Sequence, residues 1–574
     1  MAPLLVAGID FGTTYSGWSY SFKNEFDLDP TKVATKSWYG DQLVSLKAPT
    51  CVLIEPDGDT FSAFGYDAEA KYISLVEEEE HDKWFFFRKF KMKLYNTDIK
   101  RDMDIEDETG KKLNAKLVFA AAIRFLKEDL LKVIEDRIKG IIKPEDVSWV
   151  LTVPAIWDGG AKQFMREAAE SAGISSDKLT IAFEPEAAAI YCRFLPAEKS
   201  ENEGSLSTFK TGSKFLVVDA GGGTVDIAVQ EVAENGSMKN IYKASGGDWG
   251  GTKVDEAFVE FLEDMLGKES IDEFKRSNME DYLYMIRDFE VKKRNVDPTK
   301  SDKPVVFRIS AMLPKLVKKI KGKKIPEVIM DSLFGSKVSV QGDKLKVDMS
   351  VVTFLFKTQV DAIVQHVSEL IERSTKGYIE AIVLVGGFSK CPLLQQAIKL
   401  KFDDHKVIVP NDPDLAVLKG AVIFGHKPEL INQRVSKYTY GVNTNMHFID
   451  NVHKEAYKVT HEDGVVSCEN CFDKHITAGQ SLTFREAQVE KCYVATASSQ
   501  TFLLFPIFYT LDPNPLYTTD QGCHLAGTLN VDIGGSGLGR KVKVRMIYGG
   551  TEIEVDATEV ATGNVKRMKI DFLS

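Results

Sequence analysis

Cysteine is scarce: 7 in 574 residues, an odd number, so no disulfide framework holds this chain and a reducing compartment is expected. Long hydrophobic runs are missing as well. The longest candidate, residues 502–509, falls short of the roughly 18 apolar residues of a membrane helix and is broken by Pro506. Basic charge is in deficit. Lys and Arg number 73 against 84 Asp and Glu, a net charge of −11, which counts against a nucleic-acid partner. No G-x-x-x-x-G-K-[ST] loop occurs, so a Walker-type phosphate site is excluded. The first nine residues are apolar but carry neither a basic segment nor a small-residue cleavage site, and they read as a strand rather than a leader. The last four residues are no retention or prenylation signal. The cytoplasm is the expected location, with the nucleus as the alternative.

What is present is an ordinary globular composition, 44% hydrophobic and 27% charged. At about 150 residues per domain the length allows about four units. The informative feature is internal similarity. An apolar run at residues 4–9 leads into Asp10-Phe11-Gly12-Thr13-Thr14-Tyr15, and a second at 215–218 leads into Asp219-Ala220-Gly221-Gly222-Gly223-Thr224. Each reads as a buried strand, then Asp-x-Gly, then small residues with Thr, then another strand. A single such turn is commonly a hairpin. Two in matching context imply related lobes facing across a cleft. Gly lets backbone N–H groups approach an anion, and Thr hydroxyls add donors. Asp repels phosphate but can hold a hydrated Mg²⁺ that bridges to it.

Further pieces follow. Residues 382–385 form a strand ahead of Gly386-Gly387, and Pro392 suits the first turn of the next helix. Another strand, 149–153, ends at Pro154, and a helix is expected over 161–172, stopped by Gly173. Glu184 precedes Pro185 at a helix start, where an acid either polarises a water or caps the helix.

Together these residues resemble the 70-kDa heat-shock protein family, within the actin/hexokinase-like ATPase fold. The matching pieces are GIDFGTTYS (8–16), LTVPAIW (151–157), FEPEAAAIY (183–191), VVDAGGGTVDIAV (217–229), IVLVGGFSKCPLL (382–394) and DPDLAVLKGA (412–421), in family order. Phe90-Lys91-Met92-Lys93-Leu94, Glu186 where the family commonly has Thr, and the Gly246-Gly247-Asp248-Trp249-Gly250-Gly251-Thr252 run are most similar to its divergent heat-shock 70-kDa protein 12 branch. The resemblance implies ATP or ADP with Mg²⁺. It implies Asp10 and Asp219 as the metal-organising acids and Thr13, Thr14 and Tyr15, with Gly12, as the first phosphate turn. Gly221, Gly222, Gly223 and Thr224 would form the second, and Glu184 would orient the attacking water. Gly250 and Gly251 would lie beside ribose and phosphates. Gly386 and Gly387 would form the adenosine turn, with Lys390 where the family usually has Arg. Glu290, Lys293 and Arg294 share one helix face; the spacing alone suits a solvated face, and the resemblance implies purine-side contacts. For the family's phosphate-positioning Lys the candidates are Lys89 and Lys91, with Lys89 preferred.

The implied fold is α/β: duplicated ATPase lobes around a nucleotide cleft (1–210 and 211–425), a connector (426–437), and a smaller, mainly-β domain (438–574) without a helical lid. The connector lacks the family's acidic-plus-leucine linker, which puts the standard interdomain coupling in doubt. Alternation at 542–548, a turn at Gly549-Gly550 and resumed alternation at 552–555 predict a hairpin, and 526–533 a further strand. A stretch at 467–487 reads as an insertion. It holds Cys468-x-x-Cys471 with His475, half a zinc pattern, read as a loop with free thiols. The implied function is a slowly hydrolysing, chaperone-like ATPase of the stress response, with a polypeptide client or protein partner on the β domain and co-chaperones besides. The alternative is a nucleotide-gated scaffold with negligible turnover.

Overall fold

The computed structural model describes residues 3–40, 44–196, 206–300, 302–373, 377–461, 464–548 and 551–573. Its architecture is mixed α/β, with a mainly-β C-terminal region. No described helix is long and apolar enough to cross a membrane, and all seven cysteines are free.

Two mixed sheets share one plan. In the first, strand Leu5–Phe11 runs antiparallel to Tyr15–Phe22 and parallel to Val147–Val153, which is parallel to Leu179–Phe183. In the second, Lys214–Ala220 runs antiparallel to Val225–Val232 and parallel to Ala381–Val385, which is parallel to Lys406–Ile408. Leu5–Phe11 is buried throughout, and Lys214–Ala220 is buried except at Lys214, because elements cover both faces of each sheet. Asp10 and Asp219 each stand at the next-to-last position of their strand, just before the turn into the antiparallel partner. The polar side chains at strand ends are thus delivered to one edge of each sheet.

Helices Glu184–Phe194 and Ala416–His426 lie between the sheets, in an apolar core with Val6, Val150, Val217 and Val383. Glu184 is itself the first helical residue, so the helix begins one residue earlier than its place before Pro185 suggests, with Pro185 tolerated in the first turn because early helical N–H groups lack partners anyway. The helix expected over 161–172 spans Gly159–Ser171; the Asp158 carboxylate accepts the Ala161 N–H at 2.8 Å and caps it.

The C-terminal region holds a five-stranded and a four-stranded antiparallel sheet around its own apolar core. Strand His524–Asp532 fulfils the 526–533 expectation, and Lys541–Tyr548 pairs with Ile553–Glu559 through Tyr548 and Ile553. Gly549 and Gly550, the expected turn, lie outside the described residues. The stretch read as an insertion is regular: Val466–Ile476 is a strand of the five-stranded sheet, and Ser481–Thr483 follows it.

The expected connector is also regular. Strand Ile431–Val435 pairs in parallel with Met238–Asn240 of the second sheet and antiparallel with Ser481–Thr483. Its polar sequence conceals this because the inward position is Arg434, whose charge is neutralised inside the protein rather than in solvent.

Candidate functional site

The ends of the two sheets meet at a cleft with a cavity of about 180 Å³. Gly12, Thr13, Thr14 and Tyr15 line one side, and Gly221, Gly222, Gly223 and Thr224 the other. The turns approach so closely that a Cβ on Gly222 would strike the Thr14 side chain, and one on Gly223 would strike Thr13. Glycine is required there by space. The second turn is braced from behind: Gly250 N–H donates to the Gly223 carbonyl at 3.0 Å, Gly251 N–H to Gly221 at 3.1 Å, and Thr252 N–H to Gly222 at 2.7 Å. Gly251 lines the cleft, whereas Gly250 packs behind the turn with its donor already used.

Beneath the turns sits a buried set of acids. Asp10 accepts from Thr152 Oγ1 at 2.9 Å and is ion-paired with Lys47. Asp219 lies opposite. Burial, then the negative charges of Glu184, Asp226 and Asp10, raise its carboxyl well above the usual carboxylate range. Asp226 accepts the Ile156 N–H at 2.9 Å through Oδ1, while its buried Oδ2 has no hydrogen-bond partner. Glu184 is pushed up to about 7, chiefly by burial, with Asp10 and Asp226 adding to the rise and Lys91 opposing it. A concave, buried set of carboxylates with an unsatisfied oxygen suits a hard divalent cation with oxygen ligands such as Mg²⁺. Asp10 and Asp219, the expected pair, are the residues that would hold it.

Of the two candidate lysines, the structure brings Lys91 to the cleft and not the preferred Lys89. Lys89 Nζ lies 3.3 Å from Asp255 on a side chain 38% exposed, and Lys89 does not line the cavity. Lys91 does, is 2% exposed, and donates to Glu184 Oε1 at 2.7 Å. The physical reason is the 3-10 turn Phe90–Leu94, which follows a left-handed Lys89 and turns Phe90, Lys91 and Leu94 inward.

At the mouth, helix Met279–Lys293 supplies the other expected side chains. Tyr15 Oη donates to Glu290 Oε1 at 2.9 Å, and Arg294 Nη2 reaches the same oxygen at 2.8 Å. Lys293 donates to the Gly251 carbonyl at 2.8 Å. All three line the cleft, so the face is not simply solvated. Gly386, at φ +86°, and Gly387 also line it. Lys390 is ion-paired with Asp414 at 2.8 Å.

Lys47, Asp226, Asp255 and Asp414 were not singled out from the sequence. Asp226 and Asp414 lie inside quoted motifs, where their acidity was the available signal; Lys47 carries no local signal at all.

With this geometry in view, comparison with known proteins is decisive. Heat shock 70 kDa protein 12A of Mus musculus is 34% identical over 627 aligned positions, covering 100% of this chain and 92% of that protein. Human heat shock 70 kDa protein 12B is 32% identical, covering 99% and 91%. The chain belongs to the Hsp70 family. A family model described as Hsp70 protein matches residues 86–333, and the chaperone protein dnaK of Cyanidium caldarium is 25% identical over 76% of this chain and 64% of its own length. Within the family the match is to the protein 12 branch, as its Glu186 and the run around Trp249 imply. The nucleotide-binding ATPase fold of Hsp70 proteins is therefore the fold of this chain.

One expected cluster is rearranged. Cys468 and Cys471 are buried in a strand, and the histidine beside them is His453 rather than His475, which bonds Tyr493 at 2.9 Å. His453 Nδ1 accepts the Ile449 N–H at 3.0 Å. Three such groups are one short of a closed zinc centre.

Proposed function

We propose that this Hsp70-family protein binds Mg-ATP between two duplicated lobes, 1–210 and 211–425, and hydrolyses it slowly. The observation that carries this is the face-to-face approach of the two Gly-Thr turns over Asp10, Asp219 and the Glu184–Lys91 pair. Catalysis of phosphoryl transfer rests on positioning and electrostatics, which these groups supply. Thr13, Thr14, Tyr15 and the second turn offer donors to the phosphates. Asp10 and Asp219 would hold Mg²⁺, which when bound neutralises phosphate charge. Glu184, poised near neutrality and fixed by Lys91, orients a water and accepts its proton. Thr224 faces the terminal phosphate, and Lys91 takes the role expected of Lys89. The Tyr15–Glu290–Arg294 contact closes the nucleoside end, where Lys390 covers a base less fully than a guanidinium.

In this reading the C-terminal region (438–574) receives a polypeptide client or protein partner, and nucleotide state alters its access. The name of the dnaK relative supports a chaperone role. A second reading, a nucleotide-gated scaffold with negligible turnover, is favoured by the connector strand, which is paired on both edges and fixes the regions together. Isothermal titration with ATP tests the shared part. Binding that requires Mg²⁺ and is lost in Asp10→Asn supports both readings, and absence of binding in the parent overturns both.

A further inference from the structure

A second, larger cavity of about 620 Å³ lies away from the nucleotide cleft, where the first lobe, the second lobe, the connector and the C-terminal region meet. Its volume is that of a small-molecule site. The C-terminal region forms one wall through firm contacts with helix Gly159–Ser171: Phe572 N–H donates to Gln163 Oε1 at 2.7 Å, and Gln163 Nε2 donates to Asp571 Oδ1 at 2.7 Å.

Four acids line this cavity, Glu167, Glu170, Glu552 and Asp571, and its cations divide into those with an ion-pair partner, Lys569 with Glu552 among them, and those without. Its arginines are neutralised: Arg434 by Glu186, and Arg166 by Glu552. Three lysines are not. Lys162 projects from helix Gly159–Ser171, Lys243 follows strand Met238–Asn240, and Lys437 follows strand Ile431–Val435. Among the described residues none of the three has a carboxylate within ion-pair range. The closest partners of Lys162 Nζ are the Ala155 carbonyl at 3.5 Å and the Phe183 ring at 4.3 Å. The lysines also sense one another. Burial, then the charge of Lys437, pushes Lys162 down to about 7; burial, with Lys243 adding to it, lowers Lys437, and Asp158 opposes both shifts without pairing to either. Like charges gathered on three separate elements are unfavourable unless an anion joins them. Tyr242, Tyr438 and Phe572 add aromatic surface beside the cations.

We infer that this junction cavity is a binding site for a small phosphate-bearing molecule, held by Lys162, Lys243 and Lys437. A phosphate dianion matches a group of ammonium point charges, each with three rotatable donors. The aromatic walls accept an organic remainder. Because the lysines come from both lobes and the connector, the ligand would bridge them and favour their docked arrangement by mass action. The site is independent of whether the nucleotide cleft turns over ATP.

The test is thermal unfolding of the full chain titrated with glycerol 3-phosphate, inorganic phosphate or glycerol, at ionic strength matched with sodium chloride. Saturable stabilisation by glycerol 3-phosphate, absent with glycerol, is expected, together with at least a tenfold loss of affinity in the Lys162→Met/Lys437→Met double variant. Lys91→Met, which alters the nucleotide cleft, should leave that affinity unchanged. Inorganic phosphate binding as tightly as the ester would assign the site to free phosphate; weaker binding assigns it to organic phosphates. Unliganded Lys162→Met should melt no lower than the parent, since it removes an unneutralised cation. Should the double variant fail to fold, Lys243→Met, at an exposed position, should still weaken binding. No stabilisation beyond the chloride control, equal affinity in the lysine variants, or loss only in Lys91→Met would overturn the proposal.

Discussion

Arg434 closes a buried fork on Glu186: Nε lies 2.7 Å from Oε1 and 3.0 Å from Oε2, with Nη2 2.5 Å from Oε2, and both side chains are almost fully buried. Asn240 donates to the same carboxylate at 2.7 Å. Glu186 belongs to the first turn of the helix that begins with Glu184, and Arg434 to the strand that leads into the C-terminal region. One ion pair therefore ties the helix start that carries Glu184 to the chain's exit toward the β region.

Breaking that pair from one side leaves a buried charge alone. Glu186→Gln or Arg434→Met is expected to destabilise the protein by about 3–5 kcal/mol. The double variant Glu186→Gln/Arg434→Met should lose clearly less than the sum, because no charge is then stranded. Urea denaturation midpoints check this. Strict additivity would show that the two residues do not act as a pair.

The two candidate lysines differ in their expected effects. Lys91→Met should slow single-turnover ATP conversion by about a hundredfold, the scale for loss of one charge-stabilising group in a closed site. Lys89→Met, removing a half-exposed pair with Asp255, should change it by no more than about threefold. Rapid-quench measurement of both variants separates them.

The acids of the cleft make nucleotide-free stability depend on pH. Glu184 is raised from an ordinary 4.5 to about 7, chiefly by burial, and Asp219 is raised as well. The folded state therefore holds protons that the unfolded state has released. This stabilisation is present below about pH 4.5 and is lost as pH rises through about 7. Without Mg²⁺, stability attributable to Glu184 should fall across that window, and Glu184→Gln should flatten the fall. Chemical denaturation at a series of pH values reads it.

The fold's plan was legible because its signals are local. Asp10 and Asp219 each end an apolar strand and precede a glycine turn, so strand, turn and acid sit together in the sequence. Helix Gly159–Ser171 was legible from the strand that ends at Pro154 before it and from Gly173 after it. What was hidden depends on partners distant in the chain. Arg434 reads as polar connector until Glu186, 248 residues away, neutralises it inside the protein. Lys91 reads as one of a basic run until a left-handed Lys89 redirects the backbone and aims it at Glu184. Lys47 reaches Asp10 from a segment with no motif. Strand Val466–Ile476 shows no period-two alternation, because its register with Thr439–His447 shifts and its buried residues come in pairs, and its cysteines and charges invited a loop instead.

The central claim is that the paired turns hold Mg-ATP over Asp10 and Asp219 for hydrolysis. Its most direct test is single-turnover conversion of substoichiometric ATP in the presence of Mg²⁺, comparing the parent with Asp219→Asn. The account predicts that the parent converts its bound ATP to ADP and phosphate while Asp219→Asn converts none above the uncatalysed rate. Equal conversion in the two proteins, or a parent that leaves bound ATP intact, would contradict it.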